Sequence, residues 1–319
     1  MQSKQLGNTD MQITPIGFGS WAIGGGDWAY GWGAQDDGDA ITAIERAIEL
    51  GVNWIDTAAV YGLGHSEELV AKAVAGMKSR PLIFTKCALV WDDSHQVGNC
   101  LKADSIRREC EASLTRLKVD AIDLYQIHWP NPDADIEEGW MEMARLQEEG
   151  LVRHIGVSNF SVAQLRRTLS IAPVASVQPP YSMLRPAIEH ELLPFCLEHN
   201  IGVIIYSPML SGMLSGAMTR ERAANFAAND WRRNNKEFQE PRLSANIALA
   251  ELLKKIGRPH GCSAGEVAIA WTLRHPAVTG AIVGGRNAAQ VEGIIKAGEF
   301  RLSEDELAAI SRYIADMPQ

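Results

Sequence analysis

The chain has 319 residues, 46% of them apolar, and a formal net charge of −9. That length and apolar fraction suffice for one large α/β domain with a substantial core, while the acidic balance excludes a general nucleic-acid or polyanion binder. Five cysteines (Cys87, Cys100, Cys110, Cys196 and Cys262) without a C-x-x-C pair read as reduced thiols, not as a disulfide framework or zinc site.

The chain opens with KQLGNTDMQIT, two short segments flanking Gly-Asn, which predicts a small N-terminal β-hairpin. No apolar h-region follows Met1, and no uninterrupted apolar stretch reaches about 18 residues, so no signal peptide or membrane span is expected and the protein reads as cytoplasmic. Short apolar runs then alternate with amphipathic segments. The predicted strands are Ile16–Gly19, Asn53–Asp56, Leu82–Lys86, Asp123–Ile127, Arg153–Val157, Ser176–Gln178, Gly202–Tyr206 and Gly280–Val283.

Between them lie helices. In Asp104–Leu117, Ile106, Cys110, Leu114 and Leu117 recur with helical spacing. Ser161-x-x-Gln164, Ser263-x-x-Glu266 and Ser303-x-x-Glu306 each fit a capping box, in which the serine oxygen satisfies a free N–H of the first turn. Gly51, Gly150 and Gly202 follow helical stretches where a left-handed cap or turn is wanted. Eight βα alternations with mostly short connections predict a closed (β/α)8 TIM barrel, a single domain over residues 1–319. Two connections are long: Ser20 to Asp37, rich in Gly, Trp and Tyr, and Ser207 to Pro241. Both follow strands and so fall on the C-terminal rim, where barrels place ligands.

Four polar residues stand at or just after strand ends: Asp56, Tyr61, Lys86 and His128, in WIDTAAVYG, LIFTKC and DLYQIHWP. Together these types can reduce a carbonyl. A tyrosine donates the proton, and a buried cation beside it brings the phenol down from about 10. An aspartate holds the cation, because an inward lysine is costly unless paired. A neutral histidine nitrogen orients the carbonyl oxygen. Taken singly, each has a plainer reading: Asp56 as a helix cap, Tyr61 as a loop aromatic, Lys86 as a solvated strand end, His128 as a structural ring.

The strings GVNWIDTAAVYG, DLYQIHWP and HIGVSNF, with the lysine strand between them, are similar to the aldo-keto reductases, from the first hairpin to the last helix. Tyr61 follows Asp56 by five residues, Lys86 follows Tyr61 by 25, and His128 follows Lys86 by 42, which fits the family pattern. The resemblance implies a metal-free hydride transfer from the pro-R face of a reduced nicotinamide, with Asp56, Tyr61, Lys86 and His128 catalytic. It assigns the cofactor to Ser20, Trp21, Ser158, Asn159 and Gln178, with Tyr206 stacking on the nicotinamide. Ser207, Pro208, Leu210 and Gly212 belong to the pyrophosphate-side loop, and Gly284, Arg286 and Gln290 to the adenosine end. Arg286 offers a bidentate donor for a 2′-phosphate, so NADPH is expected over NADH. The chain departs from many relatives at Val283, where they carry Pro, and at Gly293-Ile294, where they carry Glu-Asn.

Trp21, Tyr30, Trp32, Trp91 and Trp129 are candidates to line the substrate pocket, with Trp28 and Trp231 beside them; for each, structural packing is the alternative. The first long loop resembles that of a bacterial branch holding stress-linked reductases and glycerol dehydrogenases, which implies small aldehydes such as glyceraldehyde and reverse oxidation of polyols. A small-molecule carbonyl or polyol substrate is expected, with no nucleic acid and no membrane, and the sequence leaves the oligomeric state open. A regulatory NADP-binding protein resembling the potassium-channel β subunits, and a metal-dependent barrel enzyme, are the competing readings.

Overall fold

A computed structural model describes residues 1–26, 28, 30–226 and 230–317. The predicted hairpin is present as β1 (Lys4–Gln5) paired antiparallel with β2 (Gln12–Ile13). Eight parallel strands then close into a barrel: β3 (Ile16–Gly19), β4 (Trp54–Asp56), β5 (Leu82–Cys87), β8 (Ile122–Ile127), β9 (Val152–Ser158), β10 (Ser176–Gln178), β11 (Gly202–Ile205) and β12 (Val278–Val283). All eight predicted strands exist, two with the predicted bounds and six with an end displaced by one or two residues. Tyr206 lies just beyond β11, its backbone joined to the neighbouring chain by an isolated bridge to Pro180.

One feature of the rim was not expected. After β5 the chain forms a second antiparallel hairpin, β6 (Leu89–Trp91) with β7 (Val97–Asn99). It launches from Ala88, a non-glycine residue at φ +74°, whose N–H donates to the Glu109 carboxylate at 2.9 Å.

The helices ring the barrel: α1 (Asp37–Glu49), α2 (His65–Val74), α3 (Ala103–Leu117), α4 (Ile136–Glu148), α5 (Val162–Leu169), α6 (Leu192–Glu198), α7 (Arg220–Ala224), α8 (Arg242–Gly257), α9 (Ala264–Leu273), α10 (Ala288–Glu292) and α11 (Glu304–Ala315). The three predicted capping boxes open α5, α9 and α11. Gly51 and Gly150 take positive φ as expected. Gly202 does not. It lies inside β11, and the left-handed turn before it is made by Asn200 at φ +50°. The glycine is needed there because a Cβ would run into Leu6 of the N-terminal hairpin.

The barrel interior is layered by the two-residue period of its strands. Trp54, Phe84, Leu124, Ile204 and Ile282 point inward and cluster with Leu6, Met11 and Ile13 from the hairpin region. Two residues further along β4, β5 and β8 come Asp56, Lys86 and Gln126, one layer nearer the C-terminal rim. The sequence therefore switches from an apolar floor to a polar layer at one height on three neighbouring strands. Trp54 fits because its neighbour Gly17 has no side chain to contest the space.

Candidate active site

Lys86 is 1% exposed, and burying an ammonium demands partners. Its Nζ donates to Asp56 Oδ2 at 2.6 Å, to the Thr57 carbonyl at 2.9 Å and to Tyr61 Oη at 3.4 Å. Asp56 is held from the other side by Gln178 Nε2 at 2.8 Å and Gln126 Nε2 at 3.3 Å. Gln178 Nε2 also donates to Gln126 Oε1 at 3.2 Å. Asp56, Tyr61 and Lys86 are thus brought together, with Thr57 and Gln126 added to them. Gln126 was missed, although a glutamine inside a buried strand two residues before His128 is itself a signal of a satisfied interior network.

Tyr61 comes from the tight turn between β4 and α2, its N–H donating to the Ala58 carbonyl at 3.0 Å. The His128 ring meets the Tyr61 ring edge-on, with centroids 5.8 Å apart. His128 is anchored through its backbone: its N–H donates to the Cys87 carbonyl at 3.1 Å, and its carbonyl accepts from Asn159 Nδ2 at 3.0 Å.

Burial, reinforced by the Asp56 charge, pushes the Tyr61 phenol well above its ordinary range. The expectation that the lysine lowers it is corrected here. The Lys86 charge is matched first by Asp56, and desolvation outweighs what remains for the phenol. Burial and the neighbouring Lys86 hold the His128 imidazole well below its ordinary value. Lys86 itself is lowered by burial, against the raising effect of Asp56. The site therefore presents a protonated phenol and a neutral imidazole over a buried ion pair.

Aromatic rings roof this centre. Trp21 stacks against Tyr61 at 6.4 Å and against Trp231 at 6.3 Å. Trp32 meets Trp21 edge-on at 5.4 Å and Trp231 at 6.2 Å. Trp28 lies 6.1 Å from Tyr61, and Trp91 packs on the same small cluster. The two long rim loops thus touch across the mouth through Trp231, Trp21 and Trp32. The Tyr30 ring meets Trp28 at 5.9 Å, and the Tyr30 carbonyl accepts from Trp21 Nε1 at 3.0 Å. Tyr30 and Trp129 are exposed, and among the described residues Trp129 makes no ring contact with the others.

The expected cofactor residues divide. Asn159, at φ +65°, accepts from Tyr206 Oη at 2.8 Å, and its Nδ2 also donates to Ser158 Oγ at 3.1 Å, so these three form one bonded unit on the rim. Ser207, Leu210 and Ser211 take positive φ ahead of Gly212 at φ +89°, and nothing lies within 4 Å of where a Gly212 Cβ would stand. Pro208 and Leu210 are buried, so their backbone is what can face a ligand. Gly284 is exposed at the end of β12. Two others are engaged within the protein. Gln178 spends its amide nitrogen on Asp56 and Gln126. Ser20 is fully buried, its Oγ accepting from Ser66 Oγ at 2.7 Å, so it braces the rim from beneath.

Residues 15–315 match the family model described as the aldo/keto reductase family. The chain belongs to that family. The aldo-keto reductase YhdN of Bacillus subtilis is 35% identical over 98% of this chain and 94% of its own length. The NADH-specific methylglyoxal reductase of Escherichia coli is 32% identical over 99% of both. Among solved structures, the glycerol dehydrogenase AKR11B4 from Gluconobacter oxydans superposes with a TM-score of 0.90 at 35% identity, covering 98% of this chain and 95% of that one. This aldo-keto reductase is accordingly an oxidoreductase of a nicotinamide-using family, and its barrel carries the Lys86 centre at the C-terminal end of the strands, as such barrels do.

Proposed function

We propose that the protein interconverts small aldehydes or ketones with alcohols or polyols, with Tyr61 as proton donor and acceptor. The observation that carries this is Lys86 Nζ, placed between Asp56 Oδ2 at 2.6 Å and Tyr61 Oη at 3.4 Å beneath an aromatic roof. A reduced nicotinamide, when bound, supplies the hydride. Ser158, Asn159 and Tyr206 would hold its ring, and the turn at residues 207–212 would lie along the pyrophosphate; amide, hydroxyl and aromatic groups with an open glycine suit that ligand.

The chain's own residues handle the proton. A carbonyl oxygen beside Tyr61 Oη and the His128 ring receives a hydrogen bond from each. As it gains alkoxide character, Tyr61 gives it a proton, and the nearby ammonium stabilises the charge in a water-poor pocket. A phenol with a raised pKa still serves, because an alkoxide is far more basic than a phenolate. Hydroxyaldehydes and glycerol-like polyols suit indole walls, which offer ring faces to C–H groups and N–H donors to hydroxyls. Among the described residues, Trp28 Nε1 and Trp32 Nε1 are buried without a hydrogen-bond partner, which supports an oxygen-rich substrate.

On the sequence reading, Arg286 and Gln290 favour NADPH. The presence of an NADH-specific enzyme among the relatives makes phosphate preference a matter for direct comparison of both cofactors. The five free cysteines accord with a reducing, cytoplasmic setting. The test is consumption of NADPH or NADH with glyceraldehyde in the wild type and in Tyr61→Phe. Turnover that drops by about a hundredfold or more in the variant supports the reading; turnover that survives the substitution removes Tyr61 from the chemistry.

A further inference from the structure

We propose that Arg286 is a positioning residue that latches the first rim loop, and with it the aromatic roof, rather than a ligand for a cofactor phosphate. This rests on the reductase reading above. Arg286 stands just past β12, and every arm of its guanidinium is spent on the loop. Nε donates to Gln35 Oε1 at 2.6 Å, Nη1 to the Trp32 carbonyl at 3.3 Å, and Nη2 to the Ala34 carbonyl. Gln35 answers by donating Nε2 to the Arg286 carbonyl at 3.0 Å. Among the described residues no carboxylate forms an ion pair with Arg286. A planar, always-charged fork is well shaped for gripping several carbonyl oxygens at once, which a point-charge ammonium is not.

What the fork grips decides its effect. The Trp32 carbonyl is one of its acceptors, and the Trp32 ring packs edge-on against Trp21, which stacks on Tyr61. A continuous path therefore runs from Arg286 through Trp32 and Trp21 to the proton donor. The groove beside Arg286, about 260 Å³, is lined by Asp36, Asp39, Asn287 and Gln290. A phosphate arriving there meets two carboxylates. It also has to take Arg286 from Gln35, Trp32 and Ala34, loosening the loop that carries the roof.

The experiment uses Arg286→Ala, Arg286→Lys and Gln35→Ala in the full chain, with three readouts. These are chymotrypsin cleavage after Tyr30 or Trp32 in the free protein, dissociation constants for NADH and NADPH from tryptophan quenching, and glyceraldehyde kinetics with NADH. Losing charge-assisted hydrogen bonds of this kind corresponds to about tenfold or more. The latch predicts faster cleavage in all three variants, a KM for glyceraldehyde raised by about tenfold in Arg286→Ala with kcat less affected, and NADPH affinity changed by less than about threefold. Arg286→Lys follows Arg286→Ala, because charge alone does not span the acceptors. The proposal is overturned if cleavage and KM stay at wild-type values while NADPH affinity alone falls about tenfold and Arg286→Lys restores it. Failure of the parent protein to bind either dinucleotide sinks the reductase reading instead, and the cleavage of the free protein still decides the latch.

Discussion

Lys86 Nζ lies closer to Asp56 Oδ2, at 2.6 Å, than to Tyr61 Oη, at 3.4 Å. The buried cation is therefore neutralised first and shared with the phenol second. This ordering explains how an ammonium survives in the barrel interior and why the phenol beside it keeps its proton.

Lys86→Met leaves Asp56 buried with only neutral partners. Breaking one side of such a pair costs about 3–5 kcal/mol, so a marked drop in denaturation midpoint is expected together with loss of turnover. Adding Asp56→Asn should recover much of the stability and none of the activity. Chemical denaturation of both variants checks this; a double variant as unstable as the single one would show that the charge is not what matters.

The pH profiles of the two directions should differ. With His128 held neutral and Tyr61 held protonated, carbonyl reduction is expected to be nearly flat between about pH 6 and 8, where an ordinary histidine would titrate. Alcohol oxidation needs the phenolate, and should climb with pH through that range and beyond. Steady-state rates in both directions test this. An oxidation optimum at neutral pH would place the base elsewhere.

Glu109 provides a stability prediction. Burial pushes its carboxyl up to about 7, against its bonds to Ser105 and Ala88 and the more distant Arg116 and Arg108. Because the folded value exceeds the unfolded one, its contribution is full below about pH 4.5 and is lost as pH rises through about 7, a swing of about 3 kcal/mol. Glu109→Gln keeps an acceptor for Ala88 but cannot titrate. Relative to wild type it should gain melting temperature as pH goes from 5 to 8, by roughly the shift that swing implies. Parallel melting curves for the two proteins across that range would refute it.

Trp231→Ala removes the indole contacts of the second rim loop with Trp21 and Trp32 and leaves Arg232 over the Trp32 ring at 5.0 Å. Aromatic pairs are worth about 0.5–1.5 kcal/mol each beyond burial, so substrate KM should rise by roughly three- to tenfold with kcat much less changed. The loop over residues 207–226 should also become more protease-sensitive. Unchanged KM would mean that Trp231 packs at the mouth without shaping it.

The fold was legible because period and punctuation agree. Apolar runs a few residues long alternate with capped amphipathic helices, and Ser161, Ser263 and Ser303 mark their helix starts unambiguously. The meeting of Asp56 and Lys86 was legible because a lysine and an aspartate in strand-end positions require each other. What stayed hidden depends on three-dimensional neighbours. That Gln126 and Gln178 both donate to Asp56 shows only once the barrel closes. Gly202 follows a helix, as a cap would, yet its reason is Leu6, far away in sequence. Arg286 has the right chemistry for a phosphate, and only the path of the first loop shows its donors engaged. The β6–β7 hairpin carries too few residues for alternation to declare it.

The packing of Leu6, Met11 and Ile13 against Trp54, Phe84 and Leu124 has a consequence for traffic. The N-terminal hairpin stoppers the barrel, making it a blind well with one opening. On the proposed reading, hydride donor, substrate and product share the rim beneath the tryptophans, and what lies below the Lys86 layer is a layer of apolar side chains. A chain shorn of its opening residues would leak from below, and the centre most affected would be the ion pair that residues 1–13 never touch.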